Sequence, residues 1–203
     1  ASFYPLQYLA EKIGGEHVTV TSLTPAGAEP HDLELSPKTV DALASADAVV
    51  YLAGFQAAVD EAIEQQAPKT VIDVSPAAEL VEANSSANHP SEDEDEDADE
   101  AQSGESATEE HADHDHEGHD HEGHHHDMSA DPHFWLDPVR MASAATLVGD
   151  KLAEADPANA DTYKANAKAL NEELSALGDD LVAKTATCQI KTFVTAHTAF
   201  GYL

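Results

Sequence analysis

An acidic segment over residues 82–127 limits how this chain can fold more than any other feature. It contains no Lys or Arg, and it ends in the histidine repeat HADHDHEGHDHEGHHHD over residues 111–127. A segment with few apolar side chains buries too little apolar surface to offset the entropy lost when the chain becomes ordered, and its like charges repel one another. We therefore predict that residues 84–129 are disordered without metal, and that the sequence on either side forms the fold.

The histidine repeat itself indicates metal binding. Imidazole is the commonest protein ligand for zinc-like metals, and carboxylates can complete such sites. The unit HDHEG begins at His114 and again at His119, and this five-residue period fits neither a helix nor a strand. We expect several loosely held ions here, with a solvated spacer as the alternative. The predicted low-affinity ligands are His111, His114, His116, His119, His121, His124, His125 and His126.

Charge, cysteine content and hydropathy exclude several classes of protein. A net charge of −31 at pH 7 would repel phosphate backbones, so we expect no nucleic acid partner. The single Cys188 excludes both a Cys-rich zinc site and a disulfide within the chain. No run of about 18 apolar residues predicts a membrane span. The abrupt start, ASFYPL, indicates either that a targeting segment has been removed or that the chain was trimmed for expression.

Strand-like and helix-like segments alternate before the acidic segment, which predicts an α/β lobe with a largely parallel sheet. Strands are predicted at residues 2–4, 18–23, 48–53 and 70–74. Helices are predicted from Pro5 to the Gly14–Gly15 pair, from the Ser36–Pro37 cap onward, and over residues 57–66.

Two longer helices are predicted after the acidic segment. They are predicted over residues 137–153 and 156–185. Each begins with an Asp–Pro pair, in which the aspartate caps the helix and the proline occupies its first turn. Asp137 is accordingly read as a helix cap. The second helix carries one continuous apolar stripe, formed by Tyr163, Ala167, Leu170, Leu174, Leu177 and Leu181. A strand is predicted next, over residues 190–195.

Three histidines outside the repeat lie where ligands bind in α/β proteins. His31 follows the first full strand, His133 lies in DPHFWLDP before a helix, and His197 follows the last predicted strand. Ligands of open α/β sheets bind beyond the carboxyl ends of the strands. We therefore predict a three-imidazole zinc site with a fourth position for a carboxylate or water. His17 precedes a predicted strand and lacks a similar context, so we interpret it as an ordinary loop or helix-cap residue.

Four segments carry a resemblance to a known family: ASFYPLQYLAEKIGG, VTSLTPAGAEPHDLELSPKTVDALASADAVVYLAG, DPHFWLDPVR and FVTAHTAFGYL. They resemble the zinc- and manganese-receptor components of ABC importers, the ZnuA-like solute-binding proteins. The resemblance implies that His31, His133 and His197 bind the metal between two α/β lobes. Manganese-type members usually have Glu at the third position, and the nitrogen of His197 favours zinc.

The resemblance also implies the division of the chain. It predicts an N-terminal α/β metal-binding lobe at residues 1–155 and a long rigid linking helix at residues 156–187. Residues 188–203 would then begin a second α/β lobe, of which this chain contains the first strand.

The function implied is that of an extracytoplasmic receptor that captures Zn²⁺ and delivers it to an ABC permease. We expect a monomer, in the periplasm or anchored by lipid to the outer face of the membrane. The alternatives are a Mn²⁺ receptor and a surface adhesin or zinc buffer of the same family. A zinc hydrolase is a competing class, because zinc lowers the pKa of its bound water to about 7. The segments around His31, His133 and His197 contain no HExxH motif to supply the base, so we expect no enzyme.

Four further residues have simpler interpretations. Glu29 is separated from His31 by a proline and is read as a solvated loop residue. Asp32 is either an acceptor that orients a ligand imidazole or an exposed acid. Trp135, with the phenylalanine before it, is expected to pack under the His133 loop. Cys188 would either pair with a cysteine of the second lobe or be a buried free thiol.

Overall fold

The computed structural model describes residues 1–82, 130–190 and 192–202. The histidine repeat and the other residues of the range 84–129, for which disorder was predicted, lie outside the described ranges. The described helices and strands are α1 (Tyr4–Gly14), α2 (Pro37–Leu43), β1 (Val49–Tyr51), α3 (Ala57–Gln66), β2 (Val71–Asp73), α4 (Ser75–Ala78), α5 (Pro138–Ala155) and α6 (Ala160–Ala186). Single 3₁₀ turns cover Gly15–His17, Phe134–Leu136 and Pro157–Asn159. None of the described helices is both long and apolar enough to cross a bilayer.

A small parallel sheet forms the centre of the fold. β1 pairs with β2 in parallel, with Val50 opposite Ile72. The backbone N–H of Ser2 donates to the carbonyl of Val50 at 2.9 Å, so the N-terminal residues lie beside the other edge of β1. Helices flank this sheet and bury apolar side chains against it. The predicted α/β architecture, with strands near residues 48–53 and 70–74, is confirmed.

The predicted strand at residues 18–23 is wrong as a regular strand. Its end is bonded, because the N–H of Leu23 donates to the carbonyl of Ala1 at 2.9 Å and that of Thr24 to Ser2 at 3.1 Å. The neighbouring segment enters α1 at Tyr4. Too few extended residues therefore remain beside it to form a ladder. The predicted strand at residues 2–4 is wrong too, because residues 2 and 3 form no strand and Tyr4 begins α1.

The predicted starts of α1, α2, α3 and α5 are confirmed. The predicted start of α6 at Asp156 is wrong, because a 3₁₀ turn covers Pro157–Asn159 and α6 begins at Ala160. α1 buries the predicted apolar face and ends at Gly14, and the next residue, Gly15, has a φ of 56° that suits a residue without Cβ. Ser36 caps α2 by accepting the N–H of Thr39 at 3.2 Å. Asp137 caps α5 by accepting the N–H of Val139 at 2.8 Å. Each of these helices thus begins or ends where a local hydrogen bond or a backbone constraint places it.

Helices α5 and α6 pack closely along the first part of α6. A Cβ added at Gly149 would lie 2.4 Å from the Cβ of Ala167, so a larger residue could not keep this contact. The predicted stripe on α6 is buried at Tyr163 and Leu170, but Leu177 is 46% exposed. α5 begins at Pro138, which lies close to Gly178 of α6, so the part of α6 after Gly178 extends beyond α5.

The segment after α6 differs from the prediction. Among the described residues, those from 188 onward contain no helix or strand, so the predicted strand at residues 190–195 is not formed. A strand requires a hydrogen-bonded neighbour. Val194 is 97% exposed, and described residues provide no ladder for it. Cys188 is exposed, so the buried-thiol alternative is wrong.

Candidate metal centre

Three loops that are far apart in sequence bring His31, His133 and His197 together. The Nε2 atom of His133 lies 3.1 Å from Nε2 of His31 and 3.1 Å from Nε2 of His197. One ligand atom from each ring lies within 4.8 Å of the other two. Imidazole nitrogens bound at about 2.0–2.1 Å to a tetrahedral zinc ion would be about 3.4 Å apart. The spacing of the rings therefore suits one such ion.

Asp131 fixes the orientation of the central ring. Its Oδ1 accepts hydrogen bonds from Nδ1 of His133 at 2.7 Å and from the backbone N–H of His133 at 2.9 Å. A neutral imidazole that donates through Nδ1 has a free lone pair on Nε2. The bare nitrogen consequently faces the other two rings. His133 is 5% exposed, so little water competes for this bond.

Asp131 was not predicted from the sequence, although a signal for it was present. The order Asp–Pro–His allows an Asx-turn, in which the first side chain accepts the N–H of the third residue. Asp32, the residue proposed for this orienting role, is exposed. Of its two interpretations, the exposed acid is the correct one. Among the described residues, Asp131 is the carboxylate that accepts a hydrogen bond from a ring of the cluster.

Aromatic side chains pack against the rings of the histidine cluster. Trp135 lies with its ring centroid 5.1 Å from that of His133, and Phe134 is fully buried. The predicted packing of both under the His133 loop is confirmed. Phe55, which the sequence did not single out, meets the ring of His31 edge-on at 4.9 Å. These contacts limit the positions that the rings can take.

Partial loss of solvation around the His31 ring lowers its pKa below the usual value, and the neighbouring His133 lowers it further. Glu29 and Asp32 act in the opposite direction, because their negative charges favour the protonated ring. The net effect favours the neutral imidazole, which is the form that binds metal.

Glu29 is exposed and makes one long contact at this loop. Its Oε1 accepts the backbone N–H of His31 at 3.4 Å. The carboxylate of Glu29 therefore lies in solvent against the backbone of its own loop, in agreement with its interpretation as a solvated loop residue. His17 lies apart from the cluster, with its ring edge-on to Tyr163 at 6.1 Å.

The ends of the acidic segment join the fold beside Asp131. Glu82 and Ala130 form an antiparallel bridge, and the N–H of Asp131 donates to the carbonyl of Val81 at 2.8 Å. The hydroxyl of Tyr202 donates to the carbonyl of Asp131 and accepts the N–H of Val81 at 3.1 Å. Tyr202, which the sequence analysis missed, therefore connects the His197 segment to the His133 loop.

Comparison with known proteins places these observations in a family. The model of the family described as zinc-uptake complex component A, periplasmic, matches residues 1–203. The zinc-binding protein AdcA of Streptococcus pyogenes is 33% identical over 204 residues, which cover 100% of this chain and 36% of that protein. The high-affinity zinc uptake system protein ZnuA of Bacillus subtilis is 32% identical over 206 residues, which cover 100% of this chain and 56% of that protein.

The fold is shared with a solved structure as well. The crystal structure of Zn(II)-bound AdcA from Streptococcus pneumoniae matches with a TM-score of 0.72 and 25% identity, over 99% of this chain and 35% of that chain. This chain thus spans about a third to just over half the length of these proteins. Their names describe zinc binding and zinc uptake, and none of the three names an enzyme.

Proposed function

The chain belongs to the ZnuA family of zinc-uptake components, and from this premise we propose that it is the metal-binding part of an extracytoplasmic Zn²⁺ receptor. Its task is to capture the ion and deliver it to an ABC permease, without covalent chemistry. One observation carries the proposal: three Nε2 atoms face one point, and Asp131 orients the central ring so that its nitrogen is free to bind. His31, His133 and His197 are the proposed ligands.

The donor set favours zinc over manganese. Imidazole nitrogen suits zinc, whereas manganese prefers carboxylate, carbonyl and water oxygens. Among the described residues, all ligand atoms of the cluster are imidazole nitrogens. A fourth position remains for a carboxylate or water, as tetrahedral zinc requires.

The remaining parts of the proposal concern organisation. Residues 1–155 form the metal-binding lobe, α6 serves as the linking helix, and residues from 188 onward begin a second lobe. The eight histidines of the repeat act as accessory, low-affinity zinc ligands. The receptor is a monomer in the periplasm or lipid-anchored outside the membrane; the word periplasmic in the family description supports an extracytoplasmic location.

Removing two ligands together tests the metal site. In the complete protein, the double variant His31→Ala/His133→Ala is expected to lose tight zinc binding in a competitive titration against a chelator. A matched deletion of residues 84–129 should remove weak binding and keep the tight site. Tight binding that survives the double substitution would show that the ion is held elsewhere. Repeating the titration with manganese measures the preference between the two metals.

Delivery to a permease needs its own experiment. Cells that lack the native receptor are supplied with the wild type or the double variant, and uptake of radioactive zinc is measured at limiting zinc. We expect the wild type alone to restore uptake. Equal restoration by both proteins would contradict the receptor role.

A further inference from the structure

We infer that Gln56 is a positioning residue for His31, acting through the backbone carbonyl of Pro30. The inference rests on the proposed metal site and adds a residue to it that does not touch the ion. Gln56 precedes α3 and is 3% exposed. Its Nε2 donates to the carbonyl of Pro30 at 2.9 Å and to Oγ1 of Thr24 at 3.1 Å.

The two bonds of Gln56 join both ends of the loop that leads to His31. Thr24 begins this loop and donates through its own Oγ1 to the carbonyl of Ser2 at 2.7 Å. Pro30 ends it, immediately before the imidazole. One buried amide therefore connects the loop to the edge of the sheet and to the start of α3.

The carbonyl of Pro30 matters because of peptide geometry. A peptide unit is planar, so the carbonyl of Pro30 and the nitrogen and Cα of His31 share one plane. Proline has no N–H, which makes this carbonyl its one backbone group that can form a hydrogen bond. Fixing the carbonyl fixes the point from which the His31 side chain begins.

The other supports of His31 are weak. Its backbone N–H meets Glu29 at 3.4 Å, a long contact at an exposed residue. Its ring is held from one side by Phe55, the residue before Gln56. Two adjacent residues thus locate His31, Phe55 through the ring and Gln56 through the backbone.

The chemistry requires an amide donor at this position. The Pro30 carbonyl can only accept, so the side chain that meets it must present N–H. The Oε1 atom of Gln56 is buried without a hydrogen-bond partner among the described residues. The contribution of this side chain to the loop therefore comes from its NH₂ group.

The chain offers a closely matched control. Asn171 on α6 donates through Nδ2 to the carbonyl of Ala142 at 2.9 Å and to Oγ1 of Thr146 at 3.1 Å. Its partners are the same chemical groups as those of Gln56, at the same distances, but they join α5 to α6 away from the histidine cluster. Gln56 is more deeply buried than Asn171, but loss of either amide removes one bond to a carbonyl and one to a threonine hydroxyl. Only the loss at Gln56 should reach the metal site.

The test compares Gln56→Met with Asn171→Leu, each close in shape to the original side chain, in the complete protein. Zinc affinity is measured by chelator competition, and stability by urea unfolding. We expect Gln56→Met to weaken zinc binding about tenfold, the lower end of the range for residues that orient a ligand. Asn171→Leu should lower stability and leave affinity within about twofold, as is usual for distant sites. If Gln56→Met fails to fold, Gln56→Asn, which is too short to reach Pro30, replaces it.

A second substitution separates an action through His31 from general damage. In a His31→Ala background, Gln56→Met should cause no further loss of zinc affinity, because the ring that it positions is gone. A further tenfold loss there, or wild-type affinity in Gln56→Met alone, would overturn the inference and leave the metal site standing. Wild-type affinity in His31→Ala alone would overturn the ligand role of His31 and the inference together.

Discussion

The loops that carry His133 and His31 present the same nitrogen to the same point but hold it differently. His133 is buried and bonded to Asp131 through both its ring and its backbone. His31 is exposed, and its ring meets Phe55 and the other imidazoles. One ring is fixed by hydrogen bonds within its own turn, and the other depends on contacts from a different element.

This difference indicates how the cluster would close on an ion. Ordering a side chain on binding costs conformational entropy, and a ring that is already fixed avoids this cost. We expect His133 to be a preformed ligand and His31 to adjust its position when the ion binds.

Removing each ring in turn is the most direct way to break the comparison. We expect His133→Ala to weaken zinc binding more than about a hundredfold, because loss of a central ligand exceeds the loss of a residue that orients one. His31→Ala should cost less, since the two remaining imidazoles stay adjacent. Competitive titration of the two single variants gives both values. Equal losses would mean that the two supports are equivalent.

The acids beside the two histidines provide the next test. Asp131→Ala should weaken zinc binding about 10- to 100-fold, because Nδ1 of His133 loses its acceptor and the ring its orientation. Asp32→Ala is the matched control, an acid next to a cluster histidine without that bond, and should change affinity little. The same titration applies, and a larger effect from Asp32 would reverse the assignment.

The pH dependence of zinc binding tests how the surroundings of His31 affect its protonation. Protons and zinc compete for imidazole, so zinc affinity falls as the pH decreases. Because the pKa of His31 is lowered by loss of solvation, this ring remains neutral below the pH at which an ordinary histidine becomes protonated. We expect affinity to be retained down to about pH 6.5, the usual value for histidine, and to fall below it. Titrations across pH 5 to 8 measure this profile, and a loss of affinity that begins well above about pH 6.5 would contradict the lowered pKa of His31.

Glu29 should produce the smallest effect. Its contact with the loop is long and exposed, and its charge favours protonation of His31. Glu29→Gln is expected to change zinc affinity at neutral pH by about twofold or less, as surface substitutions do. A much larger loss of zinc affinity would identify Glu29 as a ligand. The His31 loop would then contribute more to zinc binding than the His133 loop.

Local signals in the sequence predicted much of the fold. Proline after a capping residue located the starts of α2 and α5, since both constraints act within one turn of helix. Strands were predicted less well, because a strand depends on partners that local sequence does not specify. Residues 18–23 and 190–195 have strand-like composition, and neither forms a ladder in the described part of the chain.

The candidate site shows the same division. The three histidines that sequence singled out lie together, and their role as ligands stays a prediction. Asp131 left a local signal in its turn and could have been found. Phe55 and Gln56 left none, because they reach the His31 loop from the start of a helix that follows it in the chain. Contacts of that kind follow from the tertiary fold alone.

The bridge between Glu82 and Ala130 has a consequence for evolution and for engineering. Because the bridge holds Glu82 and Ala130 side by side, the described part of the fold does not depend directly on the number of residues that connect them. Doubling the length of such a loop costs only about 0.6 kcal/mol in closure entropy. Natural selection can therefore lengthen, shorten or rewrite the sequence between these two residues, and an engineer can do the same.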